Sequence, residues 1–177
     1  MIKYAALLRG INVGGHHIVK MEDLRRIFTS MDFENVKTYI QSGNVIFETA
    51  ETNADVLAEK IERELKQAFG FEIKTMARTI AGLEEIAAHN PFKEPAAGAK
   101  IYVSFLSAAP AALLKDSLAS FETDYEVFRF RKRELYWMIR PHNPAKELFS
   151  NNFIEKHLKV AATTRNITTV NKILLLK

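Results

Sequence analysis

The residues best equipped for chemistry lie near the start of the chain, in the run R-G-I-N-V-G-G over positions 9–15. It joins an apolar stretch, Tyr4 to Leu8, to a helical pattern that begins near Lys20. Arg9 offers a planar fork of donors, and glycines let backbone N–H groups approach an anion closely. A second polar cluster, Gln41-Ser42-Gly43-Asn44, falls between two strand-like runs. Arg9, Asn12, Gly14, Gly15, Gln41, Ser42 and Asn44 together hold one fixed cation and many hydrogen-bond groups, with no carboxylate and no thiol. Such a set suits holding an anion or a polar ligand better than moving a proton. The same residues also admit a structural reading, in which glycines permit a tight crossover and the polar side chains bind the two loops to each other.

Several sharper chemistries are absent from the pattern. No Lys-Ser/Thr follows the last glycine, so this is not a Walker phosphate loop, and G-x-G-x-x-G is missing. Ser42 lacks the G-x-S-x-G setting of an activated nucleophile and reads as a turn residue. His16 and His17 are adjacent and diverge, with no companion at metal-ligand spacing. His89, His142 and His157 are scattered, and cysteine is absent. No catalytic residue, metal or cofactor is therefore assigned. No apolar stretch approaches a membrane span, and the apolar run at the N-terminus is too short for a signal peptide. A cytoplasmic, non-membrane protein is expected, with a homo-oligomer left open.

Two further clusters are basic. Residues 1–90 carry 11 Lys/Arg against 13 Asp/Glu, whereas residues 91–177 carry 14 against 8. In the second half Arg129, Arg131, Lys132 and Arg133 interleave with Phe128, Phe130, Tyr136 and Trp137. Basic residues among aromatics on a sheet can hold single-stranded nucleic acid, weakly and without sequence preference. Alternating aromatics also serve simply as a core. The second cluster is T-T-R-N over 163–166, where a threonine would cap the last helix and Arg165 and Asn166 would favour an anion at its N-terminus. The plainer alternative is a cap beside a solvated arginine.

Periodicity supplies the elements that must position these groups. Strands are expected at Tyr4–Leu8, Val36–Ile40, Asn44–Glu48 and Phe71–Arg78, with helices from Lys20 and from Val56 to a left-handed cap at Gly70. That order, β-α-β-β-α-β, is the ferredoxin-like unit. It sets the first and third strands side by side, so the R-G-I-N-V-G-G loop and the Q-S-G-N hairpin become neighbours. A short helix capped by Thr79 and stopped at Asn90-Pro91 leads to an irregular link, 91–98. Strands at Ile101–Leu106, Tyr125–Phe130, Leu135–Ile139 and Lys159–Thr163, with helices from Pro110 and over Lys146–Leu158, repeat the order, and a helix over Ile167–Leu176 follows. The expected fold is α+β: two tandem ferredoxin-like (βαββαβ) subdomains, 1–88 and 99–177, with an added C-terminal helix. The repeat is one of element order, without residue-level identity between the halves.

R-G-I-N-V-G-G, then T-Y-I-Q-S-G-N-V over 38–45, N-P-F over 90–92 and T-T-R-N resemble the bacterial domain-of-unknown-function family 1697. The resemblance runs from residue 2 to about residue 175. It implies a cytosolic α+β protein with two similar subdomains and brings no established activity, cofactor or catalytic residue. Members usually carry Trp after T-T-R-N; Ile167 stands there here, which keeps an apolar anchor and weakens a stacking role. The leading expectation is a binding protein for a phosphate-bearing or other anionic ligand, nucleotide and nucleic acid among them. Its rivals are an enzyme with a site between the subdomains and a protein-interaction module using aromatic sheet faces.

Overall fold

A computed structural model describes residues 1–93, 95, 97–142 and 148–176. The chain divides into two compact units: unit 1 is Met1–Glu85 with Asn171–Lys177, and unit 2 is Ile86–Val170. Unit 1 contains β1 (Ile2–Leu8), α1 (Met21–Ser30), β2 (Glu34–Tyr39), β3 (Asn44–Thr49), α2 (Ala54–Phe69) and β4 (Thr75–Thr79). After α3 (Ile80–Ala88), unit 2 contains β5 (Lys100–Leu106), α4 (Ala112–Ala119), β6 (Glu126–Arg131), β7 (Glu134–Ile139), α5 (Asn151–Leu158) and β8 (Ala162–Asn166), and α6 (Ile167–Leu174) follows. The sheets run β2-β3-β1-β4 and β6-β7-β5-β8, antiparallel throughout. This is the ferredoxin-like order, twice.

The helices bury one stripe each on one face of their sheet. Leu24 and Phe28 of α1 and Leu57, Ile61 and Leu65 of α2 pack on Tyr4, Ala6, Leu8, Val45 and Phe47. α2 starts at Asn53, whose side chain accepts from the N–H groups of Asp55 and Val56, and ends at Gly70 with φ 79°. Both ends follow ordinary capping chemistry. In unit 2, Ile154 and Leu158 pack on Leu106, Phe128, Leu135 and Trp137. Ser150 caps α5 by accepting from Phe153 N–H at 3.1 Å; the predicted helix start at Lys146 lies outside the described residues.

Two strands differ from expectation by more than two residues. β4 begins at Thr75, not Phe71, because its pairing partner β1 ends at Leu8, opposite Thr75. β8 runs over Ala162–Asn166, later than expected, because α5 ends in a left-handed residue, Lys159 (φ 56°), which carries no glycine signal.

The two halves also repeat at residue level, contrary to the expectation of element order alone. I-E-R-E-L over 61–65 on α2 matches I-E-K-H-L over 154–158 on α5, and R-T-I over 78–80 matches R-N-I over 165–167. Glu62 accepts from Thr75 N–H at 2.8 Å, and Glu155 accepts from Ala162 N–H at 2.8 Å, each tying a helix to the first residue of the last strand. Tyr4 and Tyr102 hold the same register position, opposite Thr79 and Asn166. Thr79 caps α3 through Gly82 N–H, and Asn166 caps α6 through Thr168 N–H. α6 is therefore the second copy of α3, and the repeating element is βαββαβα. Shared residues at matched hydrogen bonds indicate tandem duplication.

A buried carboxylate organises the core of unit 2. Glu126 accepts from the Trp137 indole N–H at 3.1 Å and from Leu148 N–H at 2.9 Å. Trp137 is the single tryptophan and is fully buried. Glu126→Ala leaves the buried Trp137 indole N–H and the part-buried Leu148 N–H without this acceptor and should cost about 1–3 kcal/mol. Urea unfolding followed by tryptophan emission reads it; an unchanged midpoint would contradict the role given to Glu126.

Candidate functional site

The end of β1 fixes the geometry. Leu8 N–H donates to the Gly43 carbonyl at 2.8 Å, and Arg9 N–H to the Lys74 carbonyl at 2.8 Å. Beyond Arg9 the loop folds on itself. Asn12 N–H reaches the His17 carbonyl, and His16 N–H the Val13 carbonyl, each at 3.1 Å. Gly14 (φ 59°) and Gly15 (φ 78°) form the two-residue apex. Two successive left-handed residues define a type I′ turn, which accounts for a glycine pair there.

Asn12 is the clamp of this loop. Its Nδ2 donates to the carbonyls of Val19 and Gln41, each at 2.9 Å, and its Oδ1 accepts from Val19 N–H at 2.8 Å. Asn12 itself has φ 54°, a conformation asparagine tolerates. His17 stacks on Phe71 with ring centroids 4.3 Å apart.

The facing hairpin is equally constrained. Gly43 has φ 75°, and a Cβ there would lie 2.7 Å from Leu8 Cβ and 2.8 Å from Ile11 Cδ1. Asn44 is fully buried; its Nδ2 donates to the Tyr39 carbonyl and to Ser42 Oγ, each at 3.0 Å. The expected meeting of loop and hairpin is therefore seen, and the Asn12–Gln41 bond joins them. The amides of Asn12 and Asn44 are spent on the fold. Gly14, Gly15 and Gln41 face solvent, while Arg9 and Ser42 are half-buried.

Arg165 and Asn166 belong to unit 2, away in the chain from this set, and their setting differs from expectation. T-T-R-N lies within or at the end of β8, so the cap of α6 is Asn166, not a threonine. Ser104 Oγ, Thr164 Oγ1 and Asn151 Oδ1 form a chain of 2.7 Å hydrogen bonds. Arg165, the residue before the α6 cap, is 7% exposed and therefore not solvated. Its Nη1 donates to Thr163 Oγ1 and to the Thr164 carbonyl, each at 2.9 Å. Burial pushes its pKa down to about 10, so it stays charged at neutral pH. Arg78 is its counterpart in unit 1, donating to the Ala77 carbonyl at 2.9 Å.

The basic hairpin of unit 2 is partly neutralised. Arg129 pairs with Glu122 at 2.6 Å, and Arg133 donates to the Ser107 carbonyl. Arg131 is half-buried, and Lys132, with φ 51°, is exposed at the turn. Phe128, Tyr136 and Trp137 are buried, and Phe130 lies under the Lys115 ammonium at 5.6 Å. The interleaved aromatics thus build core rather than an open stacking surface.

A cleft of about 280 Å³ in unit 1 is lined by Glu59, Glu62, Lys66, Glu72 and Lys74 among others. Lys66 and Glu72, and Lys74 and Glu62, pair at 2.8 Å. The hydrogen bond from Lys66 holds the Glu72 carboxyl below its ordinary range, and that to Glu62 holds Lys74 above its own. These two groups are kept charged, the opposite of what proton transfer near neutrality needs.

A family model described as "Protein of unknown function" matches residues 1–136, a span holding both the glycine loop and the facing hairpin. The chain belongs to the DUF1697 family. Among solved structures, this DUF1697 chain is similar to the conserved bacterial protein SP0830 from Streptococcus pneumoniae, at 27% identity and a TM-score of 0.74, covering 99% of this chain and 98% of that one. No curated protein matches.

Sequence reasoning missed the solvent-facing aliphatics beside the glycines. Val13 and Ile18 are each 65% exposed and Ile40 is 49% exposed. The available signal was loop length. Twelve residues, 9–20, connect β1 to α1, whereas five, 107–111, make the same crossover in unit 2.

Two substitutions test the clamp. Asn12→Asp keeps size and backbone tolerance but removes both donors; it should cost about 1–3 kcal/mol and speed hydrogen exchange between His17 and Val19. Unchanged stability and exchange would make Asn12 dispensable to the fold. Gly43→Ala should cost more than about 1 kcal/mol from backbone strain alone, with the contact to Leu8 adding to it; a thermal midpoint equal to that of the parent would contradict this.

Proposed function

We propose that this DUF1697 protein is a binding module that meets an anionic partner on the face formed by the loop 9–20 and the turn 40–43 of unit 1. The observation that carries this reading is the comparison of the two halves. Unit 1 makes the crossover from first strand to first helix with seven residues more than unit 2; Ile11 and Val19 join its core, and residues 13–18 between them stand exposed. The exposed stretch is tied to Val19 and Gln41 through Asn12, and exposed loops on a scaffold are where binding residues concentrate.

Charge supports the anion. Unit 1 is rich in acids, yet neither 9–20 nor 37–44 contains a carboxylate. Arg9 and Lys20 flank the loop, and Arg25 donates to Thr38 Oγ1 at 2.7 Å, beside the hairpin. Of the acids that follow the loop in sequence, Glu22 and Asp23 on α1, Asp23 is paired with Arg26 at 3.0 Å. Arg165 and the basic hairpin of unit 2 enter this reading only as positive charge; the polar contacts of Arg165 lie within β8, and the Asn166 side chain caps α6.

Titration of the isotopically labelled protein with ATP, a short RNA and an acidic peptide, followed by amide chemical shifts, tests the proposal. At least one should move the signals of Gly14, Gly15, His16 and Gln41, with affinity that weakens as salt is added. The double variant Arg9→Ala, Lys20→Ala should lose most of the response. Shifts confined to Arg129–Arg133 would transfer the anion site to unit 2, and no shift with any probe would remove the reading.

A further inference from the structure

Three aliphatic side chains exposed at one place need an explanation that an anion alone does not supply. Val13 and Ile18 stand on the two arms of the loop, and Ile40 precedes Gln41, whose carbonyl receives the Asn12 amide. The single Asn12 side chain therefore ties together the backbone segments that carry all three. The other large exposed apolar residues among those described, Met1, Val56, Leu113, Leu148 and Leu175, are far apart in sequence. Clustered exposure of this kind marks an interaction surface rather than the scattered apolar residues of an ordinary exterior.

We infer that the partner is an acidic segment of another protein carrying aliphatic side chains, which lies across Val13, Ile18 and Ile40 with its carboxylates toward Arg9, Lys20 and Arg25. This rests on the anionic reading above and narrows it. A free phosphate would use glycine amides and charge and leave the aliphatics without a role. A nucleic acid is held by rings that stack on bases; the trio is β-branched, and the His17 ring is already stacked on Phe71. A bilayer would have to accept the Gly14-Gly15 apex, which puts backbone rather than side chain foremost, and hydrocarbon penalises exposed peptide groups. A protein segment supplies both apolar contact and negative charge. The loop is already ordered by its own hydrogen bonds, so little freedom is lost on binding.

Fluorescence anisotropy of three labelled peptides against the full chain tests this. The first alternates Glu with Leu and Ile, the second has Gln in place of Glu, and the third has Ser in place of Leu and Ile. The first should bind, and each of the others should bind at least about tenfold more weakly. The double variant Val13→Ser, Ile18→Ser should weaken the first peptide by a similar factor at an unchanged thermal midpoint, whereas Leu113→Ser should not weaken it. Equal binding of the serine peptide would overturn the inference and leave the anionic reading standing. So would tighter, Val13- and Ile18-dependent binding of a short RNA or of phosphatidylglycerol vesicles. Failure of every anionic probe would overturn both.

Discussion

The first strand of each unit sits inside its sheet, hydrogen-bonded on both edges, and this pairing governs what surrounds it. In unit 1, β1 lies between β3 and β4, so the residue that follows it must leave between the start of β3 and the approach to β4. The Leu8–Gly43 and Arg9–Lys74 backbone bonds are that exit. In unit 2 the same exit is made by Leu106 to Arg133 at 3.0 Å and by Ser107 to Ala161 at 2.9 Å. Gly43 belongs to this constraint: there is no room for a side chain where the hairpin closes against Leu8 and Ile11. From that exit the two halves diverge, into a short link in one and a longer, clamped and exposed loop in the other.

Most of the architecture could be read from periodicity because α1, α2 and α5 each bury one apolar stripe and α2 is conventionally capped. Asn53 and Gly70 bracket α2 as their types suggest. The meeting of loop and hairpin followed from topology alone. What could not be read was the fate of individual polar groups. Asn44 and Gln41 look alike as amides in a turn, yet one is fully buried and the other exposed. Arg165 looked solvated because arginine usually is, and the burial of its strand on both faces hides from an alternation test. β7 makes the point plainly, with all six residues buried. The residue-level repeat escaped notice because its shared positions are few and separated by insertions of different length. They emerge only when register pairs align Tyr4 with Tyr102 and Arg78 with Arg165.

The shared positions separate what the fold requires from what it carries. A tyrosine at a matched register position on the first strand recurs in both halves, as do a glutamate on the second helix and an arginine beside the last strand's end at matched hydrogen bonds. None of the loop residues 9–15 recurs. The duplicated part is thus framework, and the glycine loop, together with the turn it is tied to, is the part free to specialise.

The helix-to-strand tie made by Glu62 and Glu155 bears on how each sheet closes. The last strand of a ferredoxin-like unit pairs with the first, the most distant partner in sequence, and a misaligned last strand would expose its inner face. A carboxylate on the preceding helix that captures the strand's first amide, thirteen residues on in one unit and seven in the other, acts as a gauge. Sliding the strand by a two-residue step would preserve its alternation yet leave that carboxylate facing the wrong amide. The tie therefore penalises the slippage error that side-chain patterning cannot detect.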